Sequence, residues 1–252
     1  MKRLFPALVF LPLLLLATSP VAIGASAVTK AADTALKPFT AHYAVYMDGE
    51  QRGESTIRLE RMAGGLWRYS VSVEGTSGMA RLAGFEADDR SEFSVDAEGR
   101  PQLQRMQSRS KALFKSREVR ADFDWNRQLA NWSGDLKDDR RAPTALTGRA
   151  VNGSLLNLTL ALDARGAESG QVFDYQMLDR GSSKLVEYTA QAITSVDVPA
   201  GRFEARPLRR DRLDKNRVVT AWYSDKLPPT PVRVLQSVDG KPKFELHLLR
   251  VE

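Results

Sequence analysis

Strict alternation of apolar and polar residues dominates this chain and predicts β-strands with one buried face. The pattern recurs in about ten to twelve segments, most of them separated by short turns rich in Gly, Pro, Asn or Asp. Strands at this spacing predict a single antiparallel open barrel or a strongly curved β-sheet. The first segment, residues 39–48, carries five apolar side chains on one face: Phe39, Ala41, Tyr43, Val45 and Met47.

One segment has helical periodicity instead. Asn152 or Gly153 can cap a helix over residues 154–163. We therefore expect one amphipathic helix against the sheet, within a mainly β fold. The apolar stripe of this helix comprises Leu155, Leu158 and Leu162, with Leu156 and Leu160 beside them.

The first 27 residues match a cleavable signal peptide. Lys2 and Arg3 precede an apolar run over residues 4–17, which is short for a bilayer that needs roughly 20 residues. Ala25-Ser26-Ala27 matches a cleavage pattern, and an uncleaved membrane anchor is the alternative interpretation. We expect residues 28–38 to be a flexible linker and residues 39–252 to form one exported β-rich domain without an integral membrane segment.

Composition excludes several classes of function. The formal charge is +6, from 37 basic and 31 acidic residues, and cleavage after Ala27 would leave 35 against 31, or +4. That mild excess does not predict nucleic acid binding. Because the chain has no cysteine, thiol catalysis, cysteine zinc sites and iron–sulfur clusters are excluded. We predict no cofactor and no metal.

Catalytic motifs are missing from the sequence. It contains neither an HExxH motif, a G-x-S-x-G elbow nor a phosphate-binding P-loop, and its two histidines are His42 and His247. The sequence leaves enzymatic activity uncertain and favours its absence.

Paired carboxylates are the one catalytic possibility left. Asp122 and Asp124 project from one strand face, roughly 6–7 Å apart by strand geometry, and Asp88-Asp89 is a second pair. Two carboxylates at a suitable separation can cleave a glycoside. The alternative interpretation is a solvated outer strand face.

Two further groups of side chains are candidate binding residues. Aromatic residues on apolar strand faces could line a ligand cavity in an incompletely filled barrel, or they could simply form its core. Six aromatic residues make up this group: Tyr43, Trp67, Tyr69, Phe93, Phe123 and Trp125. A basic run could bind an anion, or it could be a solvated strand edge: Arg105, Arg109, Arg117 and Arg120.

Several stretches together resemble the bacterial exported family catalogued as domain of unknown function 3108. They are residues 39–46 (FTAHYAVY), residues 198–205 (VPAGRFEA), and an ending with Trp222, Leu227-Pro228, Pro231-Val232-Arg233 and Asp239-Gly240. The resemblance covers nearly the whole chain after the leader. It implies a periplasmic β-rich protein of a Gram-negative bacterium, and it supplies no catalytic residues.

The function that these observations favour is non-catalytic binding of an apolar or amphiphilic component of the cell envelope, such as a lipid. Two alternatives stay open. One is an envelope-glycan hydrolase that uses the paired carboxylates, and the other is a scaffold that pairs with a partner through an exposed strand edge.

Overall fold

The computed structural model describes residues 36–252, so the predicted signal peptide and most of the predicted linker lie outside the described residues. The described range forms sixteen strands and two α-helices, with short 3-10 turns at Ala63–Gly65, Asp138–Arg140 and Leu213–Lys215. The helices are α1 (Gly78–Leu82) and α2 (Gly153–Ala164). The strands are β1 (Phe39–Met47), β2 (Glu50–Arg61), β3 (Trp67–Gly75), β4 (Glu86–Val95), β5 (Pro101–Ala112), β6 (Lys115–Asp124), β7 (Leu129–Gly134), β8 (Thr144–Ala145), β9 (Ala150–Asn152), β10 (Val172–Asp179), β11 (Ser182–Ala190), β12 (Thr194–Val198), β13 (Gly201–Arg212), β14 (Arg217–Tyr223), β15 (Pro231–Val238) and β16 (Lys241–Val251).

These strands form one large curved sheet, as the alternating pattern predicts. Strands β1 to β8 pair in chain order, strands β13 to β16 do the same, and β1 pairs with β16 to join the two halves. Strand pairing is antiparallel except between β9 and β10. The hairpin turns Asp48-Gly49 and Asp239-Gly240 have positive φ at both residues, a geometry that favours Gly at the second position.

The two ends of the sheet approach each other without pairing. The terminal strands are β8 and β9, and β9 packs near β5. A side chain bridges this gap, because the Gln176 amide donates to the carbonyl of Ala145 at 2.7 Å and accepts from the backbone N–H of Thr147 at 2.7 Å. We call this gap, with its crossing loop at residues 146–149, the seam.

Helix α2 lies within the curve of the sheet. It packs against β3 and β4 from one half and against β10 and β13 from the other. The Asn152 side chain caps it by accepting from the backbone N–H of Leu155 at 3.0 Å, and the Ser91 hydroxyl of β4 donates to the same oxygen at 3.0 Å. The interior is therefore occupied by a helix held at its first turn by the opposite sheet wall.

The pattern of buried positions around helix α2 differs from the predicted apolar stripe. The bounds and cap of the helix agree with the sequence pattern, but an amphipathic helix is not confirmed. Leu162, on the expected apolar stripe, is only partly buried, because a helix enclosed by the sheet buries residues around most of its circumference. The buried positions are Ser154, Leu155, Leu156, Leu158, Thr159, Leu160, Ala161 and Ala164.

A second, smaller layer covers part of the outer face. Strand β12 pairs with β13 and packs over β15 and β16, burying Val196, Ala205 and Val232. Trp222 packs against this layer, whereas Tyr223 belongs to the core beside α2. Neighbouring residues of one strand thus serve two different apolar layers.

Candidate binding site

Most of the predicted ligand-binding aromatics belong to the packed interior. Tyr43, Tyr69 and Phe93 have no exposed surface, and Trp67 and Phe123 are also buried. Tyr43, Trp67, Tyr69 and Phe93 line none of the four clefts described below or on the outer face, whereas Phe123 lines one open cleft beside Trp125. For these five residues, the alternation of apolar and polar positions therefore indicates a side chain buried in the core.

Trp125 stands apart from the other predicted aromatics because it is only partly buried. It follows the last residue of β6, and its indole N–H donates to the carbonyl of Leu103 at 2.7 Å. This hydrogen bond fixes the ring beside the seam while leaving part of its surface exposed.

The ring of Trp125 forms one wall of a cleft of about 330 Å³ at the seam, which we call the seam cleft. The cleft therefore occurs where the rolled sheet is not closed by strand pairing. The crossing loop and β9 form the opposite wall, α2 contributes one residue, and the turn before β5 completes the lining. The lining residues are Asp96, Arg100, Pro101, Gln102, Trp125, Gly148, Arg149, Ala150, Val151 and Thr159.

Arg149 is the most firmly positioned polar group of the seam cleft. Its Nη2 donates to Asp163 Oδ2 at 2.6 Å, and its guanidinium lies 4.8 Å from the centre of the Tyr175 ring. The Tyr175 hydroxyl donates to the same Asp163 oxygen. Burial and the Asp163 carboxylate raise the pKa of Tyr175, so this hydroxyl remains a donor at neutral pH. A planar donor is thus held in one orientation.

The turn between β4 and β5 positions a second set of polar atoms. Asp96 accepts from the backbone N–H of Arg100 at 2.8 Å and from its Nε at 3.0 Å. Although partial burial opposes the shift, these hydrogen bonds hold the pKa of Asp96 below its usual value. The carboxylate is therefore an acceptor at neutral pH and a poor proton donor.

These groups together give the seam cleft two chemical sides. The indole of Trp125, with Pro101 and Val151, supplies apolar contact surface. Arg149 and the Gln102 amide nitrogen can donate and Asp96 can accept, whereas the Gln102 side-chain carbonyl already accepts from Gln104 at 3.3 Å. This is the small set of directed polar groups on an apolar wall that typifies small-molecule sites.

The predicted anion-binding arginines do not lie in the seam cleft. Arg105 is 3.3 Å from Asp122, Arg109 is 2.8 Å from Glu118, and Arg120 also pairs with Glu118. Hydrogen bonds, first from Arg109, lower the pKa of Glu118. Arg105 and Arg109 form cross-strand ion pairs, and Arg120 pairs along its own strand, so much of the charge of these three arginines is neutralised.

Arg117 is placed differently from the other three arginines. It is exposed near the β5–β6 turn and forms no ion pair within residues 36–252.

The candidate catalytic carboxylates Asp122 and Asp124 line one open cleft together, but both carboxylates are already engaged by neighbouring groups. Asp122 is largely exposed and paired with Arg105, and Asp124 accepts from the backbone N–H of Arg127. Asp88 and Asp89 are consecutive strand residues, so their side chains point to opposite faces. Burial raises the pKa of Asp89, but its inner position separates it from the outer pair.

The two histidines, like the carboxylates, do not belong to a cluster of metal-ligating side chains within residues 36–252. His42 and His247 lie on adjacent strands, where His42 is opposite Arg250 and His247 is opposite Ala44. His247 interacts with Glu245 at 2.9 Å and with the ring of Tyr46. Across residues 36–252, no three His, Cys, Asp or Glu side chains form a potential metal site. In the same range, no helix has the length and apolarity to cross a bilayer.

Fold and site together define a rolled antiparallel sheet that encloses a helix and carries a polar–apolar cleft at its seam. The model of the family described as "Protein of unknown function (DUF3108)" matches residues 39–246. The chain belongs to this family, which confirms the resemblance seen in the sequence. No curated protein matches it.

Several solved structures are similar to this chain at low identity. A beta-barrel-like protein of domain of unknown function DUF1849 from Brucella abortus is 11% identical over 86% of this chain and 98% of its own, with a TM-score of 0.48. A protein with a YmcC-like fold from Bacteroides fragilis is 9% identical over 85% and 95%, with a TM-score of 0.34. A DUF1089 family protein from Pseudomonas aeruginosa is 12% identical over 77% and 88%, with a TM-score of 0.33. None of these likenesses bears on function.

The sequence pattern misses most of the seam cleft. Trp125 belongs to the predicted set, whereas Gln102, Arg149 and Thr159 do not. Arg149 precedes a strand of only three residues, which is too short for alternation to reveal. Its partner Asp163 is the last residue of the predicted helix. An arginine before a helix and an aspartate at its end are therefore the only sequence signal for this ion pair, and such a signal is weak.

Proposed function

We propose that this protein is a non-catalytic binding protein of the cell envelope and that the seam cleft binds an amphiphilic envelope component. The ligand class that fits best is a pyranose sugar, in a glycan or in the headgroup of a glycolipid. The observation that carries the proposal is a partly exposed tryptophan facing positioned donors and acceptors across a cleft of about 330 Å³.

A pyranose ring is itself two-sided. Its C–H groups form an apolar face that packs on an aromatic ring, and its hydroxyls both donate and accept at the rim. Trp125 supports the first contact, and Arg149, Gln102 and Asp96 support the second. Because the Arg149 and Arg100 charges are balanced by Asp163 and Asp96, a neutral ligand fits better than a strongly anionic one.

We propose a non-catalytic role because the carboxylates near the seam cleft are ionised or already hydrogen-bonded. A general acid needs a pKa close to the working pH. Asp96 is held ionised by Arg100, and the Asp163 carboxylate accepts from both Arg149 and Tyr175. Both groups are suited to holding a ligand or a neighbouring side chain in place.

The periplasmic location is also part of the proposal, and it is supported by the sequence. The leader at residues 1–27 and the family implication both favour export to the periplasm. A pyranose ligand is abundant there in envelope glycans and glycolipids.

Calorimetric titration with two probes tests the proposal. The probes are the neutral disaccharide N,N′-diacetylchitobiose and octyl glucoside, which separate a glycan source from a glycolipid source. Trp125→Ala should weaken binding about tenfold or more, through the loss of ring contact. Gln102→Ala should weaken it less, because it removes single hydrogen bonds.

Trp222→Ala is the matched control, because Trp222 is another partly buried tryptophan but lies in the outer layer. It should leave the affinity unchanged. Failure of the wild-type protein to bind either probe, or equal losses in Trp125→Ala and Trp222→Ala, would contradict the proposal.

One observation favours the scaffold alternative as a second candidate. β11 pairs with β13 only through Thr189 and Ala190, so the edge of Ser182–Glu187 that faces β13 has no strand partner in the described chain. An added strand could pair there. A photocrosslinker at the exposed Leu185 should then trap one specific partner that a crosslinker at Met47 does not, and identical products at both positions would reject this candidate.

A further inference from the structure

A patch of exposed apolar side chains lies far along the sheet from the seam, where helix α1 meets the β5–β6 turn. Five large apolar side chains gather here, and four of them have more than half of their surface exposed. We call this patch the apolar tip: Met79 (76% exposed), Leu82 (78%), Phe85 (37%), Leu113 (66%) and Phe114 (104%).

The apolar tip is held in place by the fold. The backbone N–H of Leu113 donates to the carbonyl of Ala83 at 2.6 Å, which ties the β5–β6 turn to the α1 segment. The backbone N–H of Gly75 donates to the carbonyl of Phe85 at 2.9 Å, and the Ser77 hydroxyl donates to the carbonyl of Gln51 at 2.6 Å. The side chains therefore point outward from an anchored backbone.

The turn at Leu113-Phe114 is unusual for a two-residue hairpin. Leu113 has φ of +53°, a region that favours Gly, Asn or Asp. The comparable turns at Asp48-Gly49, Arg180-Gly181 and Asp239-Gly240 all use Gly. Neither the backbone geometry of this turn nor core packing accounts for two large apolar residues here.

Basic side chains surround the apolar tip. Segments 77–86 and 110–117 contain four basic residues and one acid, Glu86, for a net charge of 4 − 1 = +3. None of the four forms an ion pair within residues 36–252. They are Arg81, Lys111, Lys115 and Arg117, the last of which is a predicted anion-binding residue.

We propose that the apolar tip docks the protein on an anionic lipid surface. Leu113 and Phe114 would enter the boundary between headgroups and acyl chains, while Lys111, Lys115 and Arg117 would contact the phosphates. A second copy of the chain is a poorer occupant, because self-association would bring two patches of charge +3 together. This inference does not depend on the sugar-binding proposal.

Vesicle co-sedimentation of the purified protein tests the inference. We expect binding to phosphatidylcholine vesicles that contain phosphatidylglycerol, weaker binding to pure phosphatidylcholine vesicles, and a decrease with added salt. Lys111→Gln with Lys115→Gln should weaken binding to the anionic vesicles by about fivefold for each lysine.

The double variant Leu113→Gly with Phe114→Asn removes the apolar contact without threatening the fold, since Gly suits the positive φ at the first turn residue. It should weaken vesicle binding by about tenfold or more while keeping the wild-type melting temperature. Leu213→Asn is the matched control, an 87% exposed leucine near another hairpin turn, and it should bind like the wild type.

Three results would overturn the inference. The first is no binding to the anionic vesicles at low salt. The second is equal binding by the double variant and Leu213→Asn. The third is a concentration-dependent dimer that the double variant abolishes without any vesicle binding, because it would identify a second copy as the occupant.

Discussion

The interior of the rolled sheet and the seam cleft both use aromatic side chains on strands, yet they place them in different environments. Tyr43, Tyr69 and Phe93 are enclosed by the sheet and lie in the space shared with α2, whereas Trp125 keeps part of its ring exposed at the seam. An aromatic side chain on a strand thus stays accessible to solvent only where the sheet is not closed by strand pairing and the helix does not cover it.

The largest expected effect concerns the pH dependence of the interior. Burial raises the pKa of five of the six tyrosines, so the folded state keeps their protons when the unfolded state loses them. Stability is then fully present below the unfolded pKa of about 10 and falls as pH rises above it, by about 1.4 kcal/mol per pH unit for each tyrosine. The five residues are Tyr43, Tyr69, Tyr175, Tyr188 and Tyr223.

Urea unfolding between neutral pH and strongly alkaline pH measures this effect, with tyrosinate absorbance recorded in parallel. We expect the tyrosinate signal of these residues to appear together with unfolding. Gradual ionisation of all tyrosines in a folded protein would show that the interior admits water. The interior aromatics would then not differ in solvent access from Trp125 at the seam.

Truncation of an interior aromatic should have the next largest effect. Phe93→Ala removes a ring with no exposed surface and should lower the free energy of unfolding by about 3–5 kcal/mol. Phe114→Ala is the matched control at a fully exposed position, and it should change stability by less than about 0.5 kcal/mol. Comparable losses in the two variants, measured by urea denaturation, would contradict the assigned core.

A smaller effect is expected at the seam itself. Gln176→Ala leaves the carbonyl of Ala145 and the backbone N–H of Thr147 without their side-chain partner, at a cost of about 1–3 kcal/mol. Because this bridge holds the loop that carries Arg149, the variant should also weaken probe binding in the seam cleft. Gln236→Ala, at a partly buried glutamine of β15 that lines no part of the seam cleft, is the control and should change neither quantity. A stable Gln176→Ala variant with wild-type affinity would mean that the bridge does not organise the cleft.

Much of the sheet could be predicted from alternation alone, because period two directly reports which face of a strand is buried. Residues 39–47 form β1 as expected, and the same alternation places the neighbours Trp222 and Tyr223 in two different apolar layers. Asn152 could be identified as a helix cap because capping depends on one side chain and its near neighbours. These are local properties.

An open or strongly curved sheet could be predicted, but the position of its opening could not. Strands β8 and β9 have two and three residues, too few for any pattern, and they define both the seam and one wall of the cleft. Alternation also cannot reveal what covers an apolar face. The enclosed helix, the core role of Tyr69 and Phe93, and the exposure of Leu113 and Phe114 therefore depend on long-range packing.

The most direct test of the central claim is a chemical-shift titration of the isotopically labelled protein with the disaccharide probe. We expect the largest shifts at the Trp125 indole N–H, the Gly148 and Ala150 amides and the Arg149 side chain, while the Trp222 indole N–H stays unchanged. Shifts confined to the outer-face arginines, or no shifts at any probe concentration, would contradict it.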